Sequence, residues 1–200
     1  MTSDFNDCVR RFRLETAWLQ SEFTKMAAKR DTRYSQLACE MAVVRLHDSW
    51  SRFCRELVIV SALGNTITLG GMPLTASPGI TDRASVIPVL KKKPPRMQYE
   101  PKWGRAVECI NAASRLAITN LSTVSAAIGA KNSPAEEIRH VRNFYAHRRR
   151  ESARSATASG LFTSRYYPVV FELASYKRAG LTVVESWVHD LLLVAMAAVQ

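Results

Sequence analysis

The sequence predicts an all-α fold, because most of its 200 residues lie in stretches where apolar side chains recur at three- and four-residue steps. Many of the glycines and prolines that would break such a pattern fall in one segment, 64–101. The length suits one domain, since each half of a divided chain would bury only a thin core. We therefore expect a single helical domain over residues 1–200, with an irregular insert at 64–101.

Two long helices are expected before the insert. The first covers about residues 4–29, and its regularly spaced apolar residues are Phe5, Val9, Phe12, Trp18, Leu19, Phe23 and Met26. The second covers about residues 34–63, with a stripe made of Leu37, Met41, Val44, Trp50, Phe53 and Leu57. The four tryptophans are expected in the core or at helix interfaces. Within the insert, residues 65–69 alternate as a strand does, which allows a short β-hairpin.

Helical patterns resume after the insert and run to the end of the chain. Ser133, Pro134 and Glu136 form a capping box, with an N-cap serine, a proline at the first helical position and a glutamate at the third. The helix that they open is expected to end near residues 150–152. The other expected segments are helices at about 104–117 and 122–128, a loop at 152–160, an extended piece at 166–173 and a final helix at 181–199.

Charge and composition narrow the classes of partner. Lys and Arg outnumber Asp and Glu by 28 to 17, a formal net charge of +11 that would attract nucleic acid, or that simply keeps the protein soluble. The four cysteines form no C-x-x-C pair, so we expect no metal site, no cofactor and a reducing, cytoplasmic location. The final helix carries Glu185, His189 and Asp190, which favours a core helix over a membrane span. We expect no cleaved secretory signal, because residues 1–7 show no basic stretch followed by an apolar one.

The helix that follows the capping box carries the residues best suited to chemistry. On a helical wheel, Ile138, Val141 and Tyr145 form the stripe that should face the core, whereas Asn143 and His147 are neighbours on the opposite face. Arg142 lies about 140° around the helix from His147. If both residues act on one substrate, either the substrate lies in a groove that the two side chains reach from different sides, or the helix distorts near its end. A second protomer packed alongside would supply such a groove.

These residue types suit RNA cleavage that needs no metal. Histidine can accept the proton of the 2′-hydroxyl or donate one to the leaving 5′-oxygen, because its pKa lies near neutrality. Arginine stays charged and can stabilise the extra negative charge on the pentacoordinate phosphorus. The amide of Asn143 could position the histidine or the phosphate.

The segment Arg142-Asn143-x-x-x-His147 resembles the motif of the HEPN superfamily, whose ribonuclease members carry Arg, a polar residue, three to five further residues and His on a helix. The long helix pair before the motif and the helix after it are similar as well. This resemblance implies a HEPN-like antiparallel helical bundle in which Arg142 and His147 are catalytic and Asn143 is accessory. It also implies a homodimer that pairs two motifs across a groove, and products with 2′,3′-cyclic phosphate ends.

Residues around the motif complete the predicted site. His140 and the basic run Arg148, Arg149 and Arg150 are candidate RNA-binding residues, and Phe144 is a candidate dimer contact because its wheel position calls for cover by another element or a second chain. His47 is expected to be structural. Toxins of this superfamily that pair with nucleotidyltransferase antitoxins carry a tyrosine two positions after the histidine, where this chain has Arg149.

The leading hypothesis is a dimeric, cytoplasmic endoribonuclease that cleaves single-stranded RNA, acting as a bacterial toxin or phage-defence effector, with an antitoxin or regulatory protein as a further partner. Two alternatives keep the helical fold. One is a module that binds nucleic acid or nucleotide without turnover, and the other is a subunit that uses its helices to hold another protein. The nuclease should cleave RNA, and the binding module should bind RNA without producing fragments. The protein-interaction subunit should show no salt-dependent RNA binding.

Overall fold

The computed structural model describes residues 4–29, 33–91, 100–131, 133–147, 150–158 and 173–200. It confirms the all-α class, with one small two-stranded sheet. The elements in chain order are α1 (Phe5–Ala27), α2 (Arg33–Leu63), α3 (Arg83–Lys91), α4 (Ala106–Leu116), α5 (Leu121–Ile128), α6 (Ala135–His147), α7 (Arg150–Ala158), β1 (Lys177–Arg178), β2 (Leu181–Thr182) and α8 (Val183–Ala198). The contacts form two compact units, whose boundaries fall within α1, α2 and α8 and between Ser133 and Pro134.

The first unit consists of residues 1–12, 50–133 and 192–200. Its core includes three aromatic rings, with Phe12 5.1 Å from Phe53 and Trp50 stacked on Phe53 at 5.5 Å between centroids. Cys54 of α2 and Cys109 of α4 are fully buried beside each other, and their thiols share a hydrogen bond. Burial therefore raises the pKa of Cys54 well above its ordinary value, which keeps this thiol protonated and unreactive.

The insert at 64–101 is more regular than the sequence indicated, because it contains α3. The carboxylate of Asp82 caps this helix by accepting a hydrogen bond of 2.8 Å from the Ser85 amide, and Val86 and Leu90, four residues apart, are buried. These two local signals outweigh Pro88 inside the helix. The hairpin permitted near residues 65–69 is reduced to a single bridge between Ile67 and Pro73. The ladder does not continue because the Thr66 amide donates to the Gly64 carbonyl at 2.8 Å instead of pairing with Leu74.

The second unit consists of residues 13–49 and 134–191. Within it α1 and α2 run antiparallel, as shown by hydrogen bonds from Ser49 Oγ to Glu15 at 2.9 Å and from Cys39 Sγ to the Phe23 carbonyl at 3.7 Å. α6 is described as far as His147, residues 148–149 lie outside the described residues, and residues 150–152 are helical within α7. The loop expected at 152–160 is wrong for residues 152–158, which belong to α7, and residues 159–160 lie outside the described residues.

α7 forms because alanine favours helix and because Ala156 is buried, so the segment packs on its neighbour α6 instead of remaining in solvent. The small polar residues on its other faces concealed this helix in the sequence. Residues 166–172 of the expected extended piece lie outside the described residues, and its last residue, Leu173, is helical. The strands within the described part of the chain begin at Lys177.

A tight hairpin leads into α8. Lys177 pairs with Thr182 and Arg178 with Leu181 across a two-residue turn, where Ala179 and Gly180 both have positive φ angles of 49° and 87°. Thr182 and Glu185 then form a reciprocal capping box, in which the Thr182 amide donates to the carboxylate at 2.7 Å. This cap sets the start of the final helix at Val183, two residues after the expected start.

Three apolar side chains expected in the core or on the buried stripe are instead exposed. Trp18 is 50% exposed, Leu37 52% and Met41 57%. The period of three to four residues identified the helices correctly, but α1 and α2 carry apolar residues on more than one face, so the pattern did not separate buried from exposed positions. Trp50, Trp103 and Trp187 are buried as expected. None of the described helices is both long and apolar enough to span a bilayer.

Candidate functional site

The helix α6 is held in the second unit by its apolar stripe. Ile138, Val141 and Tyr145 are 1%, 0% and 8% exposed, which confirms the core face inferred from the helical wheel. The first hydrogen bond of the helix runs from the Ile138 amide to the Pro134 carbonyl at 2.9 Å, so Pro134 is the N-cap, one position before its expected place. The expected capping box does not form in the predicted way, because the Ser133 amide bonds the Ala130 carbonyl and the Glu136 carboxylate pairs with Arg139. The predicted chemical residues therefore lie on the remaining arc of a well-anchored helix.

Glu137 fixes α6 to the hairpin and to α8. Its carboxylate accepts two hydrogen bonds from the Arg178 guanidinium, at 3.0 and 3.2 Å, and a third from Trp187 Nε1 at 2.9 Å. A bidentate arginine and an indole donor together define the position of a carboxylate closely. These contacts limit rotation of α6 about its axis, and so they determine where the side chains of its outer arc point.

Arg142 is half-buried, and no carboxylate balances its charge within the described part of the chain. Its Nη1 donates a long hydrogen bond of 3.4 Å to the amide oxygen of Asn143, while its buried Nε has no hydrogen-bond partner. Arg139, one turn earlier, differs because it forms an ion pair with Glu136 at 2.6 Å. A partly desolvated guanidinium without a counterion is costly, and it is a natural place for an anionic ligand.

His47 of α2 joins this region, although sequence reasoning assigned it no part in the site. Its side chain is 15% exposed, and Asp48 lies 3.5 Å from its ring. Burial lowers the pKa of His47, the positive charges of Arg142 and Arg139 lower it further, and Asp48 acts in the opposite direction. Nothing in the sequence marks this residue, because its approach to α6 arises from packing between segments almost a hundred residues apart.

His147 is the last residue of α6, and it is exposed. Since α6 stays helical to this point, the wheel places Arg142 about 140° from His147 and about 7.5 Å away along the axis. The structure thus brings Arg142 together with Asn143 and within electrostatic reach of His47, while His147 lies at the exposed end of the same helix. Asn143, expected on the exposed face, is half-buried.

The remaining predicted residues have separate positions. His140 is half-buried with Nε2 3.4 Å from Arg139 Nη2, and its pKa is lowered by burial and then by that arginine, while Glu136 opposes the change. The ring of Phe144 is half-buried, with its centroid 5.7 Å from that of Tyr145, so part of the expected cover comes from within the chain. Arg148 and Arg149 lie outside the described residues, and Arg150 begins α7.

No group of three or more His, Cys, Asp or Glu side chains is arranged to hold a metal ion among the residues for which positions are described. Comparison of the chain with protein-family models, curated proteins and solved structures gave no match.

Proposed function

We propose that this protein is an endoribonuclease that cleaves single-stranded RNA without a metal ion, with Arg142 and His147 as its catalytic residues. The observation that carries the proposal is the state of Arg142, a half-buried guanidinium that no described carboxylate neutralises and whose buried Nε is unbonded. A bridging phosphate would supply both the missing charge and the missing acceptor. The net charge of +11 would draw such a polyanion to the protein.

The reaction uses groups that the chain carries. An imidazole removes the proton of the 2′-hydroxyl, and the 2′-oxygen attacks the adjacent phosphorus. The P–O5′ bond breaks, and the 5′-oxygen leaves with a proton supplied by a second imidazole or by water, so that the other product ends in a 2′,3′-cyclic phosphate. Arg142 stabilises the pentacoordinate phosphorus, and Asn143, which contacts Arg142 at 3.4 Å, positions that guanidinium.

Two imidazoles compete for the proton-transfer role. We assign proton transfer to His147, because its side chain is exposed at the last residue of α6 and is open to a polymer substrate. His47 is only 15% exposed, and its pKa is lowered, so we assign it a positioning role beside Arg142. His140, Arg148, Arg149 and Arg150 are proposed to bind the flanking RNA backbone.

The test is cleavage of a fluorescent single-stranded RNA by the purified protein in excess EDTA, followed by mass spectrometry of the product ends. We expect cyclic phosphate ends, and losses of about 10²- to 10⁴-fold for Arg142→Ala and His147→Ala. Arg105→Ala and His189→Ala, which change the exposed residue that precedes α4 and an exposed residue of α8, serve as matched controls and should cleave normally. Intact activity in either site variant, or loss in His47→Gln with retention in His147→Ala, would overturn the assignment.

A second candidate is binding of RNA without turnover. It is favoured by one observation: the regular helix separates Arg142 from His147 by about 140° of arc. Salt-dependent binding with no fragments after prolonged incubation at stoichiometric protein would support this candidate. Cleavage that copurifies with the wild-type protein and disappears in His147→Ala would exclude it.

The proposal extends to assembly and cellular role. A homodimer that pairs two copies of the motif would bring a second His147 and Arg142 to one groove, with Phe144 at the contact, and this part rests on the resemblance to HEPN ribonucleases. A cytoplasmic toxin or defence effector, restrained by an antitoxin or regulatory protein, fits such an activity. Expression of the protein alone should slow bacterial growth, and His147→Ala should restore it.

A further inference from the structure

The antiparallel helices α1 and α2 form a helical hairpin, distinct from the β-hairpin before α8, that exposes large apolar side chains in the second unit. We define the hairpin face by Leu14 and Trp18 of α1 and by Tyr34, Leu37 and Met41 of α2. These side chains are 62%, 50%, 74%, 52% and 57% exposed, in that order. Single exposed apolar residues are common on protein surfaces, but five on two paired helices mark a place where another surface binds.

The two helices present these residues side by side. The guanidinium of Arg45 lies over the Trp18 ring, 5.2 Å from its centroid, so the exposed stripes of α1 and α2 adjoin at this pair. On α2, Tyr34, Leu37, Met41 and Arg45 fall within an arc of about 80° and extend for about 16 Å along the axis. This length matches about three turns of a partner helix lying against the face.

The positive charges around the hairpin face indicate that its partner carries acidic side chains. Arg13, Arg33 and Arg45 are exposed, and none of the three has an acidic partner among the residues described. On a helical wheel Arg13 and Arg33 lie on the outer edges of the face, whereas Arg45 lies at its centre beside Trp18. The described acids of the two helices in this unit all have other neighbours: Glu22 pairs with Lys25, Glu15 accepts a hydrogen bond from Ser49, Glu40 accepts one from Gln36, and Asp48 lies 3.5 Å from His47. The face therefore combines exposed apolar side chains with unbalanced positive charge, from Arg45 beside Trp18 and from Arg13 and Arg33 at the outer edges.

We propose that the hairpin face is a docking site for an amphipathic helix of a partner protein whose apolar stripe is flanked by Glu or Asp. Apolar anchors enter between α1 and α2, and the partner's carboxylates pair with Arg13, Arg33 and Arg45. Tryptophan and arginine are the residue types that contribute most to such contacts. A second copy of this chain fits less well, because it would bring the same arginines against one another. The proposal does not depend on ribonuclease activity.

The test uses a displayed library of 18-residue helices with a fixed leucine stripe and flanking positions that vary among Glu, Gln and Lys. Selection against the full-length protein should enrich Glu at the flanks. The enriched peptide should protect Trp18 from acrylamide quenching, a specific readout because the other three tryptophans are buried.

We expect Met41→Asp, Leu37→Asp and Arg45→Gln each to weaken binding about tenfold or more. Val107→Asp and Leu193→Asp, at exposed apolar positions of α4 and α8, should bind normally.

Several outcomes would overturn this assignment. One is a selection that yields no binder, and another is enrichment of Lys or no bias at the flanks. A third is unchanged affinity in Met41→Asp and Leu37→Asp, with folding verified by circular dichroism. Sedimentation that reveals a dimer dissolved by Met41→Asp would assign the face to a second copy. A shift of Trp18 emission only on anionic phospholipid vesicles would assign it to a membrane surface.

Discussion

Arg142 and Arg139 lie one turn apart on α6 and use their charges differently. Arg139 is neutralised by Glu136 at 2.6 Å, whereas Arg142 reaches only the amide of Asn143, at 3.4 Å, within the described part of the chain. The charge of Arg142 acts on the imidazole of His47 instead. An unbalanced guanidinium near a partly buried histidine disfavours protonation of that histidine, so the two residues should be coupled in titration.

The first prediction concerns this coupling. Arg142→Gln removes a charge that lowers the pKa of His47, so the pKa should rise toward its ordinary value of 6.5. Titration of the His47 ring protons by NMR measures the change, and Arg105→Gln is the control that should leave it alone. A His47 pKa that stays fixed or falls in Arg142→Gln would show that the two side chains do not interact.

The same shift predicts how stability depends on pH. Because folding lowers the pKa of His47, the folded state binds fewer protons than the unfolded state below pH 6.5. The contribution of neutral His47 to stability is complete above pH 6.5 and is lost as pH falls through the folded pKa. His47→Gln should therefore flatten this part of the curve of unfolding free energy against pH, with His189→Gln as the exposed control.

At the scale of the elements, Glu137 links three parts of the second unit through Arg178 and Trp187. Glu137→Ala leaves the indole N–H and a partly exposed guanidinium without their acceptor, so we expect a loss of about 1–2 kcal/mol in the free energy of unfolding. Urea denaturation monitored by tryptophan fluorescence measures this loss. The control Glu136→Ala removes a more exposed carboxylate and should cost less than about 0.5 kcal/mol. Equal losses in the two variants would contradict this account of how α6 is anchored.

Gly64 directly follows α2 in the first unit, and its conformation leads to a second prediction about an element. Its φ angle is +72°, and a Cβ atom there would lie 2.0 Å from the Ala76 nitrogen and 2.1 Å from the Thr75 carbonyl carbon. Gly64→Ala should lower the free energy of unfolding by more than about 2 kcal/mol. The added Cβ would force the backbone at Thr75 and Ala76 to move, and alanine would also have to adopt an unfavourable positive φ angle. Gly79→Ala isolates the backbone strain alone, since its φ is +75° with open space around it, and should cost about 1 kcal/mol. Similar losses at both glycines would remove the steric explanation.

Local signals in the sequence account for the elements that were predicted correctly. Periodic apolar residues located α1 and α2, and Ser133 with Pro134 located the start of α6. The failures also have local causes. Pro88 suggested a loop although Asp82 caps α3, and the small polar residues of α7 obscured the burial of Ala156. The periodicity alone could not show which apolar positions face solvent, as Trp18 and Met41 demonstrate.

The candidate site was only partly visible in the sequence, for a different reason. Arg142, Asn143 and His147 share one helix, so their spacing could be read directly. His47 belongs to α2, and its approach to Arg142 depends on tertiary packing that no short pattern encodes. The absence of an ion pair at Arg142 likewise emerges only from the arrangement of its neighbours.

At the scale of the whole molecule, the proposed nuclease needs a groove that two helical faces line. A homodimer provides one if each groove takes residues from both subunits. Mixing inactive Arg142→Ala with inactive His147→Ala protein, under conditions that exchange subunits, should then restore a substantial fraction of cleavage, because some grooves regain one intact set. A mixture as inactive as its components would contradict a shared site, while mixing either variant with itself provides the baseline.

The measurement that tests the central claim most directly is a double-variant comparison of RNA cleavage rates in EDTA. If Arg142 and His147 act on the same phosphodiester, Arg142→Ala combined with His147→Ala should be scarcely slower than the worse single variant, because either change alone already disables the shared step. The account predicts this non-additive result. Rate losses that multiply in the double variant would instead show that the two residues act independently, and the proposed site would be wrong.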